Sequence, residues 1–183
     1  LLVLGGAGGV GSAAIQLGLA AGARVIATAG TPEKTAFCQG LGAMAVLDPA
    51  APDLPGQVAA ITGGHGADLV FDPVGGALTG QARRCLAWEG RHLVIGFAAG
   101  TVPDFPANHA LVKNYDVLGV HWSTYPARDR ATVDAAHTEI LRLHGEGRIR
   151  PALARTLPLA ELPQALAALE DRTVIGRLVV TAT

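Results

Sequence analysis

Leu1-Leu2-Val3-Leu4-Gly5-Gly6-Ala7-Gly8-Gly9-Val10-Gly11 opens the chain, and its reading decides the fold. Four apolar residues read as a buried strand. A glycine-rich bend follows, and Ser12 to Ala21 has helical composition, apolar nearly all round, as in a helix covered against a sheet. A Gly6-x-Gly8-x-x-Gly11 pattern gains meaning between a strand and a helix, where it reads as a dinucleotide-binding bend. Gly6 is expected to permit the tight turn, Gly8 to let a pyrophosphate approach the backbone, and Gly11 to let helix and strand pack closely. The amides at the helix start then meet the two phosphate charges. The competing reading is a plain tight turn. A Walker-type phosphate loop is excluded, because no Gly-Lys-Ser/Thr follows.

Working outward, the strand–helix rhythm repeats. Arg24 to Thr28 reads as a second strand. Thr31-Pro32-Glu33-Lys34 starts a helix, with Thr31 as cap, Pro32 in the first turn and Glu33 at the positive dipole end. That helix runs to about Leu41, with Gly42 able to cap it. Met44–Leu47, Asp68–Asp72, Arg91–Gly96 and Tyr115–Val120 read as further strands. Helices are expected at Leu54–Ile61, Leu78–Leu86 and Asp129–Leu143, the last with Val133, Ala136, Ile140, Leu141 and His144 on one side. Nearly all-apolar strands alternating with helices define an α/β fold, a doubly wound parallel sheet of the Rossmann type, over residues 1–147. Residues 148–183 form an extension: a helix at Leu159–Leu169 and a strand at Arg177–Thr181 that either joins the sheet edge or belongs to another part of the protein.

Composition narrows the class. The chain has 183 residues, 50% hydrophobic and 16% charged, with a net charge of −1. Such a chain buries a core and is not disordered. Its charge balance gives no reason to expect nucleic acid or an anionic membrane. The two cysteines, Cys38 and Cys85, form no disulfide framework and fit a reducing, cytoplasmic compartment. No zinc cluster and no Gly-x-Ser-x-Gly elbow is visible. A chain whose first residues already read as a strand, with no initiator Met, is expected to be the later part of a longer protein.

The second strand bears on which dinucleotide. An NAD site carries an acid about twenty residues past the fingerprint. Here the strand ends Ala27-Thr28-Ala29-Gly30-Thr31, without one. Lys34 can reach a 2′-phosphate, and Thr28 and Thr31 can add hydroxyls, so NADPH is favoured over NADH. An ordinary solvated lysine is the bland alternative. Two later strand ends complete a cleft beyond the carboxyl edge. Asp72-Pro73-Val74 leaves the fourth strand, Gly96-Phe97-Ala98 the fifth. Asp72 either borders the ligand or caps its own turn. His121 and Trp122 follow the sixth strand and are candidates to border the cofactor. His65, His92, His137 and His144 read as structural.

These residues together resemble the cofactor-binding half of quinone oxidoreductase-like enzymes in the medium-chain dehydrogenase/reductase superfamily. The matching stretches are Gly5–Gly11 with Ala14-Ile15-Gln16-Leu17, Asp72–Gly76, Gly90-Arg91 with Val94–Ala98, Lys113-Asn114, Gly119-Val120 and Ile175-Gly176-Arg177. The resemblance implies an NADPH-dependent, zinc-independent reductase of quinones or activated enones, often homodimeric, with an N-terminal domain that supplies much of the substrate pocket and receives the last strand. It implies Gly8, Gly9 and Val10 at the pyrophosphate, Lys34 at the 2′-phosphate, Gly96, Phe97 and Ala98 along the nicotinamide, and His121 and Trp122 near the ring. Two departures stand out. Asp48-Pro49 replaces the Asp-Tyr common at the third strand end, and His121 replaces a Phe before Trp122. Alternatives are an enoyl-thioester reductase, a zinc alcohol dehydrogenase, and a non-catalytic redox sensor that keeps NADPH.

Overall fold

Strand β1 (Leu2–Val3) sits in the middle of a six-stranded parallel sheet and joins its two halves. In the computed structural model, which describes residues 1–182, β2 (Ile26–Thr28) and β3 (Ala45–Leu47) extend the sheet on one side of β1. On the other side lie β4 (Ala67–Asp72), β5 (Leu86–Val94) and β6 (Asp116–Gly119), giving the order β3-β2-β1-β4-β5-β6. Leu2 pairs with Ile26 on one flank and Val70 on the other. Strand order therefore reverses at β1, and a crevice opens there beyond the carboxyl ends.

The helices cover both faces, as the apolar strands require. Successive strand residues point to opposite faces. Leu2, Leu4 and Ile26 enter one core with Leu54 and Val58 of α3 (Leu54–Thr62) and Ala82 of α4 (Gly76–Ala82). Val3, Val25 and Ala27 enter the other, with Ile15 of α1 (Gly9–Ala20) and Cys38 of α2 (Pro32–Gly40). The start of α2 follows its sequence signals: the Thr31 hydroxyl accepts from the Lys34 amide, Pro32 fills the first turn, and Gly42 has φ +99° just past the end.

Two boundaries differ from expectation. The helix read over Leu78–Leu86 is α4 from Gly76 to Ala82, then a 3-10 turn at Arg83–Cys85. Leu86-Ala87-Trp88 already belongs to β5. A short apolar run fits a helix or a covered strand equally well by periodicity. Here the β4–β5 register shifts between Ala67 and Leu69, and Glu89 takes φ +56°. This bulge needs Gly90, whose Cβ would lie 3.0 Å from Ala87 O and 3.1 Å from Ala67 O.

After β5, α5 (Ala107–Lys113), β6, a short α6 (Tyr125–Arg128) and α7 (Arg130–Gly145) follow. On α7, Leu143 is buried and Val133 and Ala136 are partly so, but Ile140 and Leu141 are exposed. The last strand, β8 (Arg177–Thr181), does not join the edge of the main sheet. It pairs in parallel with β7 (Leu153–Pro158) in a separate two-stranded sheet, with α8 (Leu162–Glu170) as the crossover. The extension is tied back to the first unit: Gly176 N donates to Ala7 O (2.8 Å), Arg150 N to Gln16 Oε1 (2.7 Å), and the Arg148 guanidinium to Ala20 O.

Candidate dinucleotide site

The glycine bend is built differently from the expected division of labour. Gly5 takes the left-handed turn, with φ +62°. Gly6 is required by packing: a Cβ there would come within 2.9 Å of Ala27 Cβ, 3.0 Å of Cys38 Sγ and 3.1 Å of Ile15 Cδ1. The tight-turn role expected of Gly6 therefore falls to Gly5. Gly11 must be glycine because its Cβ would meet Gly5 O at 2.2 Å, so helix and loop backbones touch. Gly8 is different again. Its φ is −78°, and the nearest atom to an added Cβ is 3.5 Å away, an ordinary contact. Gly8 lines open space, so what its missing side chain admits is not protein.

That space is a cleft of about 760 Å³. Gly5, Gly8, Gly9, Val10 and Gly11 form its floor, Thr28, Lys34 and Pro49 one wall, Pro73, Val74 and Ala98 the other. Helix α1 begins at this floor with no side-chain cap and no acid in its first turn. The first amides of a helix have no intrahelical partner. Here they face the cleft with the positive end of the helix dipole behind them, the arrangement that binds a phosphate anion.

The structure brings together Gly8, Gly9, Val10, Gly11, Thr28, Lys34, Pro73, Val74 and Ala98 of the residues expected from sequence. Thr28 also has a second task, and the remaining expected residues lie outside the lining. Thr28 is buried, and its Oγ1 accepts from Gly5 N at 3.0 Å, so the hydroxyl braces the bend. Thr31 caps α2. Gly96 N bonds to Asp72 O (3.3 Å), and Phe97 packs against Gly75 from the fifth-strand loop. His121 and Trp122 lie just past β6, exposed and outside this lining; Trp122 stacks on Tyr125 at 5.2 Å, and His121 shares a 2.8 Å bond with Ser123 Oγ. Pro49, the departure at the third strand end, does line the cleft.

Asp72 takes the second of its two expected roles. It is buried, and its carboxylate lies beneath the cleft. Oδ1 accepts from Val74 N (2.9 Å) and Gly75 N (2.8 Å); Oδ2 accepts from Thr79 Oγ1 (2.5 Å) and His92 Nε2 (3.0 Å). Burial pushes this carboxyl's pKa up, but the bonds from His92, Gly75, Thr79 and Val74 outweigh it and hold it below the usual carboxylate value. Burial also pushes the Cys38 thiol up to about 11 and Cys85 to about 12.

Arg172 was not visible from sequence. It lines the cleft from the extension, with φ +56°. Its carbonyl accepts from Lys34 Nζ at 2.5 Å, and its guanidinium reaches Ala98 O at 3.4 Å. It stands 138 residues from Lys34. Its one sequence signal is its place just before the Ile175-Gly176-Arg177 stretch. Among the described residues no group of three or more His, Cys, Asp or Glu side chains is placed to hold a metal, and no helix is long and apolar enough to cross a membrane.

A doubly wound sheet with a glycine floor and an uncapped helix at its switch point defines the class: a dinucleotide-binding domain. Residues 9–139 match the family described as zinc-binding dehydrogenase, and the chain belongs to that family. It is 32% identical over 182 residues to the quinone oxidoreductase-like protein 2 of Bos taurus, covering 99% of this chain and 52% of that protein. A mycobacterial protein solved with NADPH superposes with a TM-score of 0.89 at 30% identity, covering 98% of this chain and 56% of the other. The Escherichia coli quinone oxidoreductase, also complexed with NADPH, gives 0.87 at 28%, with coverage of 98% and 56%. The chain spans about half the length of the curated relatives it matches.

Proposed function

We propose that this chain is the cofactor-binding part of an NADPH-dependent oxidoreductase that reduces a quinone or an α,β-unsaturated carbonyl. One observation carries the reading: the uncapped start of α1 opens through Gly8 into a cleft with Lys34 on its adenosine side. NADPH in the two solved relatives, and quinone oxidoreductase in the names of relatives, support the choice of cofactor and substrate class. The residues fit the cofactor. Unpaired amides at Gly9 to Gly11 suit the diphosphate. Lys34 keeps two of its three donors for a 2′-phosphate, and no acid stands at the end of β2 to repel it.

NADPH supplies a hydride when bound. The chain's own residues orient and shield it. The β2 end and Lys34 hold the adenosine half, and the loops after β4 and β5 border the other half. Val74, Leu78 and Ala98 give that wall an apolar surface, which excludes water from the reacting face. Zinc has no role in this reading.

The substrate pocket is completed by an N-terminal domain of the same protein. The exposed apolar side chains of the extension, Leu153, Leu159, Leu166 and Leu169, support this. A second copy pairs along β6, the outermost strand, whose Val117 and Leu118 are exposed. The protein works in the cytoplasm.

Calorimetry of the protein with NADPH and NADH tests the cofactor. Tighter NADPH binding, lost as a preference in Lys34→Ala, is expected; equal affinities in the wild type overturn the assignment. Turnover of a simple quinone with NADPH, unchanged after chelation, tests the reaction, and loss on chelation favours a zinc alcohol dehydrogenase.

A further inference from the structure

His92 lies in the middle of β5 with no exposed surface, and one of its ring nitrogens, Nδ1, is buried without a partner. Its ring meets Phe105 edge-on at 5.0 Å. A histidine kept only to fill a core would be better replaced by an apolar residue, because the bare nitrogen costs stability. What the site retains is the other nitrogen. Asp72 already takes three donors, so the fourth acceptor position of an ionised carboxylate is filled by Nε2–H. The imidazole is thus held as a donor to Oδ2, and the carboxylate is saturated.

The saturated carboxylate holds two loops at once. Through Oδ1 it fixes the amides of Val74 and Gly75, and Gly75 adopts φ +73°, ψ −159°, a conformation essentially restricted to glycine. Residues of this first loop then fix the second: Asp72 O accepts from Ile95 N (2.9 Å), Pro73 O from Ala98 N (3.2 Å), and Val74 O from Ala99 N (2.8 Å). Pro73, Val74, Ala98 and Ala99 all line the cleft, on the β4 side of the switch point. The phosphate floor and Lys34 lie on the other side and share no bond with this carboxylate.

We propose that His92, acting through Asp72, is a positioning residue that sets the wall of the cleft against the nicotinamide half of the cofactor and not against its adenosine half. The proposal rests on the NADPH reading above. Without the Nε2–H donor, Oδ2 is left short of one partner in a buried site, the carboxylate rotates or takes up a proton, and the Val74 and Gly75 amides lose their fixed anchor. The two loops then shift together, because several main-chain bonds join them.

The full protein carrying this chain is titrated calorimetrically with two probes: NADPH, which occupies both halves, and 2′,5′-ADP, which occupies the adenosine half alone. Measurements are made well below each variant's melting temperature. In His92→Leu, NADPH is expected to bind about tenfold more weakly, the scale of one hydrogen bond to a charged group. Affinity for 2′,5′-ADP is expected to stay within about twofold, the precision expected of an untouched half-site. His92→Gln, which keeps an N–H donor near Nε2, is expected to restore most of the NADPH affinity. If His92→Leu does not fold, Thr79→Val removes the other side-chain donor to Oδ2 and carries the same expectation. Equal loss of both ligands, unchanged NADPH affinity, or a glutamine variant as weak as the leucine one would each overturn the proposal. A wild type that binds neither probe would overturn the cofactor reading and this inference together, a result distinct from the other three.

Discussion

Gly8 and Gly11 stand three residues apart in one bend, yet a side chain would do opposite things at each. At Gly8 a Cβ meets nothing closer than 3.5 Å; at Gly11 it strikes Gly5 O at 2.2 Å. Gly8→Val is therefore expected to cost at most about 1 kcal/mol, as an altered helix cap, while abolishing NADPH binding. Gly11→Ala is expected to destabilise the fold by about 1–3 kcal/mol through overpacking against backbone that has nowhere to move. Chemical denaturation beside fluorescence titration separates the two effects. If Gly8→Val binds NADPH normally, the bend is not the phosphate site. The thiols offer a second check. With pKa values near 11 and 12 in buried positions, Cys38 and Cys85 are expected to resist a thiol reagent at pH 8 until denaturant is added. Fast labelling of the native protein would contradict their burial. At this scale the sequence showed which residues are special, but not always why. The pattern marked Gly6, whereas the dihedral that needs glycine is at Gly5, and Gly6 is fixed by Cys38 and Ile15, contacts that depend on how α1 and α2 pack.

Helix α2 shows how far local signals carry at the scale of an element. Thr31, Pro32, Glu33 and Gly42 are each local cues, and the helix starts and stops where they say. Thr31→Ala is expected to lower stability by about 1 kcal/mol, the usual worth of an N-cap, and to weaken NADPH binding slightly by loosening the turn that carries Lys34. A thermal melt with no shift would mean the 3.3 Å cap bond contributes nothing. Strand β5 shows where local signals stop. Leu86-Ala87-Trp88 is apolar without a period, and its strand conformation comes from pairing with β4 across a bulge. The same holds for β8. Its composition announces a strand, but its partner β7 is chosen by the α8 crossover, and no residue in either strand names the other. His92 belongs to this class as well. Read along the chain it is one polar residue in an apolar strand; its partner Asp72 is twenty residues away and next to it only because β4 and β5 pair in register, Val70 with His92.

At the scale of the whole molecule, the doubly wound sheet was legible because six apolar strands alternating with helices admit few other folds. The part of the cleft supplied by the extension was not, since Arg172, Val174 and Gly176 reach it from the far end of the chain. The Asp72 carboxylate joins β4, β5 and α4, so its protonation is a property of the whole fold. Its pKa is held below the ordinary carboxylate value of about 3.9 by hydrogen bonds that outweigh burial. The folded state therefore favours the ionised form more than the unfolded chain does. The resulting stabilisation is complete above the unfolded value and is lost as pH falls through the folded one. Wild-type melting temperature is expected to drop steeply below about pH 4. Asp72→Asn should melt lower at pH 7 but show a flatter acid limb, so the two curves converge as pH falls. Other carboxylates contribute equally to both proteins, and the difference between the curves isolates this one. Parallel acid limbs would mean that Asp72 is not ionised in the folded protein, and that its four donors are arranged around a neutral acid.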